Sequence, residues 1–308
     1  MSEIRSDLEE LRRRIDEIDD RLLDLFIERI EIVSQVAAYK NSSGAVAPHQ
    51  PAREAEIVRR LIERNGGAFP PATLVRIWRE LLAATVRQQS NFAVAVYAPP
   101  ENPGYWDIAS DHYGSHTTMA AYRSAPQVIR AVTEGQAAVG VLPMPQQGDT
   151  DPWWRHIISA NERVPHVIAR LPFGARGNAR SDGADALAIG GGPQQETGHD
   201  RTLLATENSL DISRARIFQT LSALGLTCTF LATWEYAGGA NTLIEIEGFV
   251  PSDDPRLEEF RARLSPALSR LLRFGGYAVP MAPETFRPTT APIYVAPIVA
   301  PAADPAKV

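Results

Sequence analysis

The chain of 308 residues contains one cysteine, Cys228. A single thiol excludes an internal disulfide framework and any cysteine-based zinc cluster, which leaves Cys228 as a small core hydrophobe. Positive charge is not in excess either, since the formal net charge is -6. Without a basic field, nucleic acid is not an expected partner. No stretch approaches the roughly 18 uninterrupted apolar residues of a membrane span, and the first residues are charged rather than an apolar signal segment. A soluble cytoplasmic protein is expected. Gly190-Gly191-Gly192 is the one glycine run that could suggest phosphate binding, but Pro193 follows it and no helix does. It therefore lacks the helix N-terminus that would hold the anion.

What the chain does have is a long amphipathic stretch from Leu8 to Lys40. Leu8, Leu11, Ile15, Ile18, Leu22, Leu25, Ile32, Val36 and Tyr39 recur at steps of three and four, the seam of a helix that packs on other helices. Arg29 stands in the slot between Leu25 and Ile32 where an apolar residue belongs. A buried cation is costly unless an anion pairs with it. An internal ion pair with a carboxylate such as Glu54 is the ordinary outcome, and a bound anionic ligand is the other.

The remaining helices of the first 91 residues follow from punctuation. Asn41-Ser42-Ser43-Gly44 stops the first helix, Pro51 opens a second that runs to about Arg64, and Pro70-Pro71 precede a third over residues 72 to 91. Beyond Asn91 the period changes. Strands are expected at residues 92–97, 137–142, 164–171 and 184–189, with a helix at 124–133, which is an α/β pattern. From residue 201 the order reads strand, helix, strand, strand, helix, with the last helix over 254–272 and a closing strand near Tyr277 to Val279. That is a ferredoxin-like βαββαβ order. Residues 283–308, rich in proline and alanine, read as a disordered tail.

Charged groups gather in the helical part. Arg29 and Lys40 lie about 16 Å apart on one helix face, and Arg53 and Glu54 open the next helix. Arg12 lies about 25 Å from Arg29 along the axis, too far to reach the same small molecule within one subunit. An antiparallel partner helix would bring it across.

Four pieces in order carry a resemblance to a known family: LRRRID around Arg12, LFIERIEIVSQVAAYK with Arg29 and Lys40, PAREAEI with Arg53 and Glu54, and TVRQQ at the end of the third helix. Over about residues 5 to 91 the chain resembles the all-helical chorismate mutases, specifically the mutase half of bifunctional chorismate mutase/prephenate dehydratase proteins. The resemblance implies an intertwined homodimer with Arg12 donated across subunits and chorismate as the small-molecule partner. It implies that Arg29 and Arg53 hold the substrate carboxylates, that Lys40 and Gln89 bond the ether oxygen, and that Glu54 binds the hydroxyl. Gln50 falls where some members have a carboxylate and Thr85 where some have a serine. Gln88 is the neighbouring candidate should the register of the third helix shift by one. The chemistry is a unimolecular rearrangement in which negative charge grows on the ether oxygen. Fixed donors and a held conformer suffice, without cofactor or metal.

Past residue 91 the resemblance weakens. FAVAVYAPPENPGYWDIASDHYG, GVLPMPQ and ADALAIGG stand in place of the dehydratase family's Gly-Pro-x-Gly-Thr loop, Val-Pro-Ile-Glu-Asn-Ser stretch and Thr-Arg-Phe strand. Residues 201–282 are similar to the ACT regulatory module, with TLIEIEGFVPSDDPRLEEF the clearest piece, although the effector motifs are replaced. The expected organisation is a multidomain chain. A three-helix all-α mutase domain (1–91) precedes a truncated, degenerate dehydratase-like α/β lobe (92–200). An α+β ACT-like module (201–282), with a place for an aromatic amino acid effector, and the tail (283–308) complete it. Dehydratase activity is expected to be lost. Two alternatives remain: an isochorismate pyruvate lyase, which shares the helical fold and charge set, and a non-catalytic scaffolding protein of the aromatic pathway.

Overall fold

A computed structural model describes residues 2–43, 48–67, 69–158, 164–177, 179–180 and 184–286, with the side chains of 2–6 and 40–43 left out. The expected disordered tail, apart from Pro283–Phe286, lies outside the described residues. Three helices come first: α1 (Ser2–Ser43), α2 (Pro51–Asn65) and α3 (Pro71–Gln89). Proline at the start of α2 and α3 costs no hydrogen bond, because the first helical N–H groups have no partner within the helix. Gly66 closes α2 in the left-handed conformation at φ 55°.

The apolar seam of α1 is not buried within the chain. Its nine members are 46 to 78% exposed. Between residues 7 and 39 only Phe26, Arg29, Ile30, Val33 and Ala37 are partly covered, a strip beside the seam that rests on α3. Arg29 lies in that strip and meets α3.

The rest of the described chain builds one nine-stranded sheet in the order β2-β1-β3-β5-β4-β9-β6-β8-β7. Its first strands are β1 (Ala93–Tyr97), β2 (Thr118–Tyr122), β3 (Val139–Pro143), β4 (His166–Leu171) and β5 (Ala186–Gly190), with α4 (Gly104–Tyr113) and α5 (Ala125–Thr133) on opposite faces. Then follow β6 (Asp200–Asn208), α6 (Arg214–Ala223), β7 (Cys228–Tyr236), β8 (Gly239–Glu247), α7 (Pro255–Leu264) and β9 (Leu268–Ala278). β1 pairs in parallel with β2 and β3, whereas β6 pairs antiparallel with both β8 and β9.

Two expectations need correction. α7 stops at Leu264 instead of running to residue 272, because Pro266 has no N–H to give a helix and restricts Ser265 before it. Residues 268–272 are therefore strand, and the closing strand is much longer than the sequence implied. α4 and β2 also went unread. α4 begins immediately after Pro103, and β2 is largely exposed and so shows no apolar alternation.

The two halves of the sheet join where β4 meets β9 in parallel, at Val167 opposite Gly275. Gly275 has φ 118°, and a Cβ there would stand 2.2 Å from the Val167 carbonyl oxygen. The backbones can approach only because the side chain is missing.

The helical part is fastened to this sheet rather than tethered to it. Arg59 of α2 donates to the carbonyl oxygens of His199 and Val279, both at 2.8 Å, and to Thr197 Oγ1 at 2.9 Å. Ala55 and Val58 of α2 and Val75 of α3 pack on Phe173, just beyond β4. His49, His112 and Tyr113 are buried between α2, α3 and α4, with the His49 ring 5.1 Å from Phe92 and 5.7 Å from Tyr113. Burial holds both histidines below their ordinary pKa, His112 well below, and Arg79 pushes each further down.

Two outcomes follow from this packing. Gly275→Ala should cost at least about 2 kcal/mol from backbone conformation and clash together. Gly148→Ala meets only the conformational cost, since nothing lies within 4 Å of its Cβ, and should lose about 1 kcal/mol. Urea midpoints that are equal for the two variants would refute the tight β4–β9 approach. For the histidines, the unfolded chain takes up protons near pH 6.5 while the folded chain does not. Stability should therefore fall as pH drops below about 6.5, by up to about 1.4 kcal/mol per pH unit for each histidine until its folded pKa is reached. Thermal melts of His112→Phe across this range should show a shallower decline than wild type.

Candidate active site

The site begins with two side chains that sequence reasoning linked and the fold separates. Arg29 donates from Nη1 to Thr85 Oγ1 of α3 at 3.1 Å, and the threonine donates in turn to the Leu81 carbonyl at 2.7 Å. The threonine hydroxyl thus turns a lone pair toward Arg29. Arg29 is about half buried, and desolvation lowers its pKa from an already high value, so it remains a cation at neutral pH. Glu54 is not its partner. That carboxylate accepts from Arg79 Nη1 at 3.0 Å, with both residues buried. The internal ion pair expected for Arg29 belongs to Arg79 instead.

With Arg29 so held, α1, α2 and α3 enclose a cavity of about 470 Å³, open on one side. Arg29, Gln50, Arg53, Glu54, Thr85 and Gln89 all line it. Six of the eight expected site residues therefore share one concavity, though they come from three helices and span 61 positions. Gln89 faces the cavity and Gln88 is exposed away from it. Arg53 lies at the rim, its guanidinium on Glu56 at 2.9 Å. Lys40 belongs to the last turns of α1, and its side chain is outside the described residues. Arg12 is exposed on the projecting half of α1 and does not line the cavity.

Three further residues complete the site. Arg60 lines the cavity and adds a cation, and Trp78 supplies an apolar wall. Arg79, beneath Glu54, is 4% exposed. It occupies the buried seam Val75, Arg79, Leu82, Val86 of α3, so the reasoning that singled out Arg29 would have found it. His49 stands close by, its Nε2 buried without a hydrogen-bond partner and 3.9 Å from Glu54 Oε1. Held neutral by burial, it adds no charge. The cavity therefore presents cations and amide donors around one fixed carboxylate, a set that suits a dianion bearing a hydroxyl. Among the described residues there is no cluster of three or more histidine, cysteine or carboxylate side chains able to hold a metal, and no helix long and apolar enough to cross a membrane.

The helical part is also similar to known proteins. Residues 11–90 match the family model described as chorismate mutase type II. A bifunctional chorismate mutase/prephenate dehydratase of Stutzerimonas stutzeri is 31% identical over 141 residues, covering 44% of this chain and 38% of that protein. One from Aquifex aeolicus is 30% identical over 142 residues, covering 45% and 39%. The chain thus spans about two fifths of the length of the curated relatives it matches. Among solved structures, a prephenate dehydratase from Streptococcus mutans aligns with 61% of this chain and 98% of its own at 13% identity and a TM-score of 0.43, too low to carry weight. Over residues 11–90 this chain is therefore similar to the chorismate mutases of type II.

Proposed function

We propose that the chain is an isomerase that rearranges chorismate to prephenate, in the cytoplasm, as a step of aromatic amino acid synthesis. The observation that carries this reading is the meeting of Arg29, Gln50, Arg53, Glu54, Thr85 and Gln89 around one cavity within the part similar to the chorismate mutases of type II. In the proposed mechanism Arg29, steadied by Thr85, takes one substrate carboxylate, and Arg53 swings from Glu56 to take the other. Glu54, fixed from below by Arg79, accepts from the substrate hydroxyl. Gln89 donates to the ether oxygen, joined by Lys40 from the end of α1. Negative charge grows there as the C–O bond breaks, so preplaced donors lower the barrier without a nucleophile or proton transfer. Gln50 orients the substrate at the rim.

The proposed assembly is a homodimer. A helix of 42 residues with nine exposed apolar seam positions needs a partner, and a second copy running antiparallel covers the seam and carries Arg12 into the facing cavity. The proposed domain boundaries are 1–91, 92–200, 201–282 and 283–308. The strand order β9-β6-β8-β7 with α6 and α7 on one face supports an ACT-like reading of the third unit, with an aromatic amino acid as its proposed effector. We propose further that dehydratase activity is lost, since proline and alanine fill the ends of β1 and β3 where that family carries its polar motifs.

Prephenate formation by wild type, Arg29→Ala and Lys40→Ala tests the site. Each variant should lose about 10²- to 10³-fold in kcat/KM, and the wild-type rate should change little between about pH 6 and pH 8, because an amide donor does not titrate there. Unimpaired variants would refute the site, and pyruvate release from isochorismate without prephenate formation would favour the lyase. The shared site makes a separate demand. Inactive Arg12→Ala and Arg29→Ala subunits, mixed, should regain part of the activity, since one site of each heterodimer is then intact. No recovery despite proven subunit exchange would overturn the donation of Arg12.

A further inference from the structure

Arg79 lies between two cavities. On one side it holds Glu54, which lines the cavity just described. On the other, Arg79 itself lines a second cavity of about 280 Å³, enclosed by α3, α4 and the loop that follows β4. Its guanidinium sits 5.2 Å from the centre of the Phe173 ring. Nη1 of Arg79 bonds Glu54, so the guanidinium that holds Glu54 is the one that lines the second cavity.

The second cavity has the character of a binding site. Val75, Ile108 and Phe173 form apolar walls, while Arg76 and Arg176 join Arg79 in lining it. Asp111 is the one carboxylate in the lining and is taken by Arg76. Arg176 is paired outside the cavity with Asp185, and His112 is held neutral by burial. An ammonium group entering would meet three guanidinium groups and no free carboxylate. A carboxylate would meet the guanidinium groups of Arg79, Arg76 and Arg176, and a ring beside it would lie on Phe173.

We propose that this cavity binds a small monocarboxylate with an apolar, ring-sized body and no amino group, and that its occupancy weakens substrate binding at the mutase cavity through Arg79. The second clause rests on the proposed mutase activity. A ligand carboxylate drawing on Arg79 loosens its hold on Glu54, and Glu54 then confronts the incoming dianion with less compensation. The effect is on substrate affinity, so KM rises while kcat holds. By reciprocity chorismate weakens the ligand by the same factor.

Phenylacetate serves as the probe, titrated calorimetrically into the full chain. Wild type should bind it at millimolar concentration or below, and L-phenylalanine should not compete. Ala72→Trp, which plugs the mouth from an exposed helix position, and Arg176→Ala should each weaken binding at least about tenfold, and neither should alter prephenate formation without phenylacetate. Saturating phenylacetate should raise the wild-type KM for chorismate at least about fivefold. No heat of binding to wild type, or equal binding by wild type and both variants, overturns the site. Binding with an unchanged KM overturns the coupling. A chain that forms no prephenate refutes the mutase reading instead, and the calorimetry still decides the site.

Discussion

The ion pair between Glu54 and Arg79 is the constraint on which the helical part depends. Both charges are taken out of water between α2 and α3, and each is tolerable only because of the other. Removing one partner of such a pair typically costs about 3–5 kcal/mol, whereas the intact pair adds little net stability. Its contribution is therefore positional. It fixes where α2 sits along α3 and holds the Glu54 carboxylate at the cavity wall, away from Arg29. Had Glu54 and Arg29 paired, the charge set would be spent within the chain. A third buried charge, Arg79, keeps the two apart.

The pair in turn leans on the sheet. Phe173 covers the face of the Arg79 guanidinium, and Arg59 clamps the same side of α2 to the carbonyls of His199 and Val279. The helices α2 and α3 are thus stabilised by the α/β part and not chiefly by α1, which meets α3 over a short strip. The α/β part thus supplies the shield of a buried charge in the helical site. The loop after β4 that carries Phe173 leaves the same edge of the sheet as the ends of β1 and β3, because those three strands run in one direction.

The sequence made some of this legible and hid the rest, for reasons that differ by element. The α1 seam and the misplaced Arg29 were visible because helical periodicity is local. Gln50, Thr85 and Gln89 were legible only through family resemblance, since nothing in their spacing brings three helices together. α7 was overextended because Leu268, Leu271 and Leu272 continue a helical period, and the sequence around Pro266 was given too little weight. The union of β4 with β9 was out of reach: it depends on Gly275 accepting a backbone within van der Waals distance from more than 100 residues earlier. Arg79 was readable and overlooked. It breaks an apolar seam as plainly as Arg29 does.

The length of α1 gains a physical meaning from the proposed dimer. Arg29 occupies the strip that rests on α3, and Arg12 stands about 25 Å away along the axis, beyond any contact with its own chain's cavity. A helix only long enough to cover α3 would end near Phe26, the first residue from the N-terminal side that its own chain partly covers. The roughly six to seven further turns before it are stable only against another surface, because their seam is apolar and an isolated helix of that length is marginal in water. The proposed partner surface is the same seam of a second copy, and the distance from Arg12 to Arg29 then sets the offset between the two cavities. Shortening the helix would strand the arginine, and lengthening it would carry Arg12 past the site it serves.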